Sequence, residues 1–175
     1  GGIFSEMIEY RQQKEESQIM KVGINYLKIM GVKLKQGRLF RPEFETTDIS
    51  NNSIIVNEKF VNVFGLDNPV NKSVYIDDTT QMHIIGVIED VHLTGPWYPV
   101  KPLAFRLTGE SNYKRFILKV KDENKEEVDH YLKKKLRKEE DFKLIEEDEN
   151  RIIGTIPVEK VQFRGNRFSR SVFIK

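Results

Sequence analysis

The apolar residues of this chain come in short runs, and each run meets a turn or cap residue at once. Ile54-Ile55-Val56 meets Asn57, Val74-Tyr75-Ile76 meets Asp77, and Ile84-Ile85-Gly86-Val87-Ile88 meets Glu89-Asp90. Runs of this length make strands or short helices. A helix that crosses a membrane needs about 20 mostly apolar residues, and no such stretch occurs in the sequence. The runs therefore predict an α+β protein with more strand than helix.

The order of the runs fills in the elements. Phe4, Met7 and Tyr10 precede the polar run 11–17, and Ile19 to Ile24 follow it. This spacing predicts a hairpin with a charged tip. Asn25 stands where it can cap a short helix bearing Tyr26, Leu27, Ile29 and Met30, with Gly31 as the left-handed stop. Residues 41–53 read as a polar loop. Ile54 to Val56 suits a buried strand, and Asn57 can cap a helix carrying Phe60, Val61 and Phe64. A hairpin over 74–91, a strand over 103–107 and a half-buried strand over 115–121 follow. Asn124 with Glu127 then opens a helix along Val128, Tyr131, Leu132 and Leu136, and Phe142 to Ile145 returns as a strand. Strand, helix and strand in this span predict a βαβ unit near the C-terminal end.

Composition removes several chemistries. The 175 residues include no cysteine. Disulfide scaffolds, cysteine-ligated metal sites and thiol nucleophiles are therefore excluded. Phosphate-cradling glycine loops, the Gly-x-Ser-x-Gly elbow and His-Glu-x-x-His are absent. Asp90 and His92 would share a face if they lay on a strand, as a metal site would use. The competing reading is a strand end turning into a loop. The carboxylate runs, such as 139–141 and 146–149, read as solvated flanks. We expect no catalytic residue, no cofactor and no metal.

Two segments offer binding chemistry. Residues 93–99 hold the only tryptophan, Trp97, beside Tyr98, in a proline-flanked loop. Exposed aromatics on stiff loops make good contact anchors; the plain alternative is that Trp97 folds back and seals the core. The last 16 residues, 160–175, carry five basic residues and no acid, whereas 1–159 carry 24 basic and 27 acidic residues, a net of −3. The small positive charge of the whole, +2, belongs to that tail. Its mixture of basic and aromatic residues suits a membrane surface or nucleic acid.

Several segments together resemble a known family. Asn25-Tyr26-Leu27-Lys28-Ile29-Met30-Gly31-Val32 and Gly37-Arg38-Leu39-Phe40 are similar to the Met-Gly-Ile and Gly-Arg-x-Phe stretch of the MacB-like periplasmic core domain of FtsX-family ABC-transporter permeases. Ile54-Ile55-Val56-Asn57-Glu58, Asn68-Pro69-Val70-Asn71-Lys72, Ile84 to His92 and Lys101-Pro102-Leu103 resemble later motifs of the same domain, in the family's order. The resemblance spans residues 17–150. It marks Gly31, Gly37, Arg38, Asn57, Gly86 and Asp90 as structural motif residues.

The resemblance implies mixed sheets with short helices in two small subdomains. One is porter-like, from 1–37 and 103–150; the other is Sabre-like, from 38–102; a basic juxtamembrane tail at 151–175 follows. It implies a non-enzymatic extracytoplasmic domain on the periplasmic side of the bacterial inner membrane, moved by ATP hydrolysis in a separate cytoplasmic ABC ATPase subunit. Its expected partners are the protein's own transmembrane helices, a second permease copy or paired half, and a periplasmic adaptor or a peptide or lipid-linked substrate, with no nucleic acid. The chain starts Gly1-Gly2 rather than with Met, so we expect a piece of a longer protein whose membrane helices lie outside it. The rival expectation is a peptide- or ligand-binding module that uses Trp97 and Tyr98.

Overall fold

A computed structural model describes residues 3–77, 79–92 and 97–109, helical residues Glu126, Glu127 and His130, and the backbone of five later strands. The chain divides into two compact units, Gly1–Gly109 and Glu110–Lys175.

In the first unit, β1 (Ile3–Tyr10) and β2 (Gln13–Val22) form the expected hairpin. Its turn is only Arg11-Gln12, both at positive φ, so the charged residues 13–17 belong to β2. The helix α1 (Tyr26–Met30) ends on Gly31 in the left-handed region, whose N–H bonds back to Leu27 and Lys28. Asn25 makes no side-chain cap, against expectation. After β3 (Leu34–Gly37) comes a single 3-10 turn, Pro42–Phe44, and the helix α2 (Glu45–Ser50). The polar loop expected there is thus largely helical. It lacks an apolar stripe, which is why the pattern hid it. β4 (Ser53–Asn57) leads into α3 (Glu58–Val63), and β5 (Ser73–Ile76), β6 (Thr80–Ile88) and β7 (Leu103–Leu107) complete the unit.

These strands share one mixed sheet in the order β3-β6-β4-β7-β2-β1-β5, and β5 also pairs with β6. Six strands therefore close into a ring, with β3 attached to β6 beside β5. One apolar cluster draws on all six ring strands (Ile8, Ile19, Ile54, Val74, Ile84 and Ala104 among them) and on Phe60 and Phe64 around α3. A second cluster (Val22, Leu27, Phe40, Ile55, Ile88, Phe105) lies on the opposite face under α1. β4 is buried along its whole length because its alternate residues serve the two clusters; its parallel pairing with β6 fits a strand covered on both faces.

A bulge keeps β6 in phase. Ile54 pairs with Ile84 but Ile55 pairs with Gly86, so Ile85 is the extra residue. Side chains alternate with period two, and one inserted residue exchanges the faces beyond it. Met82 and Ile84 precede the bulge and Val87 follows it, yet all three reach the same cluster. The buried Ser17 Oγ has no hydrogen-bond partner.

In this sheet β7 pairs with β2, as two strands of the expected porter-like part would, and on its other edge with β4. In the second unit, β8 (Arg115–Lys119) and β9 (Lys143–Asp148) flank β10 (Arg151–Thr155), antiparallel to both, and β11 (Val161–Arg164) pairs with β12 (Ser171–Ile174). The two strands of the expected βαβ unit are present, but they are not neighbours: β10 lies between them. Most of the helix expected between them falls outside the described residues. The tail expected after residue 150 contains three strands.

Candidate functional surface: an aromatic loop clamped at both roots

The motif residues converge on the start of α3. Asn57 is fully buried and makes three hydrogen bonds with its amide. Oδ1 accepts from the Phe60 N–H at 3.1 Å and from the Leu103 N–H at 2.9 Å. Nδ2 donates to the Lys101 carbonyl at 3.0 Å. One side chain thus caps the helix, as the sequence predicts, and also grips the chain entering β7. Asp90 Oδ1 accepts the next free N–H of the same helix, from Lys59, at 2.8 Å. The first N–H groups of a helix have no partner within it, and Asn57 and Asp90 supply two of them.

This explains how the loop from β6 to β7 is held. Asp90 ties its first root to α3, and Asn57 ties its second root to the same helix start. Gln18 N–H adds a bond to the Pro102 carbonyl at 2.8 Å. Between the roots, Trp97 is 91% exposed and Tyr98 62%. Trp97 does not fold back over the core. The sequence could not decide this point, because a lone tryptophan fits either reading.

Asp90 and His92 lie beyond the end of β6, so the shared strand face that a metal site would need is not formed. Among the described residues, no group of three His, Asp or Glu side chains converges as metal ligands do. His83, half-buried on β6, shares a 3.0 Å hydrogen bond with Ser73 directly across the ladder. His130 is exposed.

A second brace holds the neighbouring corner. Gly37, at φ +73°, and Gly86 lie where β3 crosses β6. A Cβ on Gly86 would collide with the Arg38 carbonyl, and one on Gly37 with the Ile85 carbonyl. The close approach puts Arg38 beside α2. Its guanidinium makes two parallel bonds to Asp48, at 2.8 and 2.7 Å, and lies 4.5 Å from the Phe44 ring centroid. Asp48 is 1% exposed, and the fork gives each of its carboxylate oxygens a charged partner. The sequence marked Arg38 but not Asp48, which sat unremarked in the polar stretch.

No helix among the described residues is long and apolar enough to cross a membrane. The family model of the MacB-like periplasmic core domain matches residues 2–135. The chain is 26% identical over 125 residues to the macrolide export ATP-binding/permease protein MacB 2 of Aeromonas hydrophila subsp. hydrophila, covering 66% of this chain and 18% of that protein. It is 29% identical over 110 residues to the MacB of Aggregatibacter actinomycetemcomitans, covering 58% and 17%. The chain thus spans less than a fifth of the length of these curated relatives. Among solved structures, it is similar to the periplasmic region of MacB from Actinobacillus actinomycetemcomitans, with a TM-score of 0.48, 21% identity, and 60% of this chain and 44% of that one covered.

Proposed function

This chain belongs to the MacB-like periplasmic core domain family, the periplasmic part of ABC-transporter permeases, and on that premise we propose that it is a non-enzymatic transmission body. ATP binding and hydrolysis occur on a cytoplasmic ATPase subunit. The permease helices carry the movement across the membrane, and this domain moves against a second copy or a paired half on the periplasmic side. The outcome is export, extraction of a lipid-linked substrate, or signalling. The curated relatives are named for ATP binding and permease function together and for macrolide export; neither substrate nor subunit arrangement is carried over to this chain.

The observation that supports this reading is where the motif residues are used. Arg38, Asn57, Gly86 and Asp90 all brace one unit. A body that transmits displacement must resist deforming, and buried, fully satisfied polar networks stiffen a fold. Within this proposal, Trp97 and Tyr98 are the contact that meets the moving partner, adaptor or substrate, because they are the most exposed large apolar residues on a loop held at both roots.

The test uses the permease that carries this domain, reconstituted with its ATPase and spin-labelled at Asp67→Cys, an exposed turn position outside the aromatic loop. The distance distribution between two copies shifts when nucleotide binds. An unchanged distribution during steady ATP hydrolysis refutes the transmission reading. The rival, a peptide-binding module, predicts saturable Trp fluorescence change with extracytoplasmic peptides that is lost in Trp97→Ala; the exposure of Trp97 is what keeps it open.

A further inference from the structure

We propose that Lys21 and Arg106 form a binding site for a phosphate dianion at the rim of the strand ring. Three observations carry this. First, the ladder sets two like charges side by side. Lys21 of β2 pairs with Arg106 of β7, two residues beyond the pair Ile19 and Ala104. Ile19 and Ala104 belong to the apolar cluster of the ring, and residues two apart on a strand share a face. The row that fills the ring therefore continues into two cations. Like charges directly opposite each other in a sheet are destabilising, and an anion bound to both relieves that repulsion.

Second, among the described residues no carboxylate lies within ion-pair distance of either side chain. Their partners are neutral. Lys21 Nζ lies 5.4 Å from the Phe4 ring centroid, toward β1. Arg106 Nη2 donates to Asn52 Oδ1, at the entry to β4. These contacts orient the two cations and leave their charge uncompensated.

Third, the guanidinium is held ready. Asn52 is fixed in turn, because its Nδ2 donates to the Gln81 carbonyl at 3.1 Å. A guanidinium preset in this way offers its remaining N–H groups as a fork, and the lysine adds a mobile point charge. Arg106 is half-buried and Lys21 exposed, so an anion reaches the pair from solvent. Two positive charges match a phosphate group, which carries about −1.5 to −2 at neutral pH. A single carboxylate leaves one cation uncompensated.

This goes beyond the transmission reading and does not depend on it. An anion titration measures no coupling to ATP, so either idea can fail alone.

The experiment is a titration of the isotope-labelled 175-residue chain with inorganic phosphate, followed by amide NMR shifts, against sodium chloride at equal ionic strength. Phosphate moves the Lys21, Asn52 and Arg106 amides saturably, and chloride does not. Lys21→Gln and Arg106→Gln each weaken binding about tenfold or more. Lys28→Gln, which removes an exposed cation of α1, leaves it unchanged. Spectra matching the parent chain show that the variants fold. Lys21→Gln changes an exposed side chain, so the test stands even if Arg106→Gln does not fold. Glycerol 1-phosphate is titrated in parallel. Binding of either anion supports the site, and the tighter one identifies its source as free phosphate or an ester. Three outcomes overturn the proposal. They are a response to phosphate that is absent or no larger than that to chloride, acetate binding as tightly as phosphate, and unchanged phosphate binding by folded Lys21→Gln.

Discussion

Replacing Asn57 with Ala removes one amide and strands three backbone groups. The Phe60 N–H loses its cap, the Leu103 N–H loses its acceptor, and the Lys101 carbonyl loses its donor. Losing an N-cap costs about 1 kcal/mol. A buried donor or acceptor left without a partner costs about 1–3 kcal/mol. The Leu103 N–H is buried between β4 and β7, and the Lys101 carbonyl lies at the edge of that region. Adding the cap, one full penalty and one partial penalty gives about 3–5 kcal/mol. Small domains have only about 5–15 kcal/mol in total, so Asn57→Ala brings the first unit close to its unfolding limit.

Asn57→Ser separates the contributions. A serine hydroxyl still caps the Phe60 N–H but does not reach the chain entering β7, so Ser recovers about 1 kcal/mol relative to Ala. The assay is urea unfolding followed by far-UV circular dichroism. Fluorescence is a poor reporter here, because the only tryptophan is exposed in the native state. Hydrogen exchange at the Leu103 and Phe60 amides gives a local readout: both exchange faster in Asn57→Ala, and only Leu103 does in Asn57→Ser. A loss below about 1 kcal/mol for Asn57→Ala, or equal effects of Ser and Ala, refutes the three-bond account.

Three further outcomes follow from the same structure. Asp48→Ala leaves the partly exposed Arg38 guanidinium without its carboxylate and costs about 1.5–3 kcal/mol by denaturant titration, whereas Arg38→Met/Asp48→Leu recovers most of that, because the pair must be desolvated together. Gly86→Ala forces β3 away from β6 and lowers stability by about 1–3 kcal/mol, visible as a lower melting temperature with loss of protection at the Arg38 amide. Ser17→Ala removes a buried hydroxyl that has no partner, so it is neutral or stabilising by up to about 1 kcal/mol in the same titration.

Most local structure was legible because the physics that makes it is local. The Ile54–Val56 run, the Asn57 cap, the left-handed Gly31 and the 74–91 hairpin rest on spacing and on residues a few positions apart. The failures share a cause. Asn25 was read as a cap from its type alone, but its side chain makes no capping bond. The helix α2 went unseen because an ion pair to Arg38, ten residues away in sequence, anchors it in place of an apolar stripe.

The sequence by itself determined most of the strands of residues 1–109, where α1 stops and α3 starts, and which family the chain resembles. Periodicity, capping and turn chemistry act over a few residues and are written in order along the chain. Only the tertiary structure decided that six strands close on themselves through β5 and β6, and that one asparagine ties a helix start to the entry of a strand 46 residues on. It also decided that Asp90 serves the same helix and that Trp97 points to solvent. Those outcomes depend on which distant backbone groups are left to satisfy once the sheet has formed, and no local pattern records that.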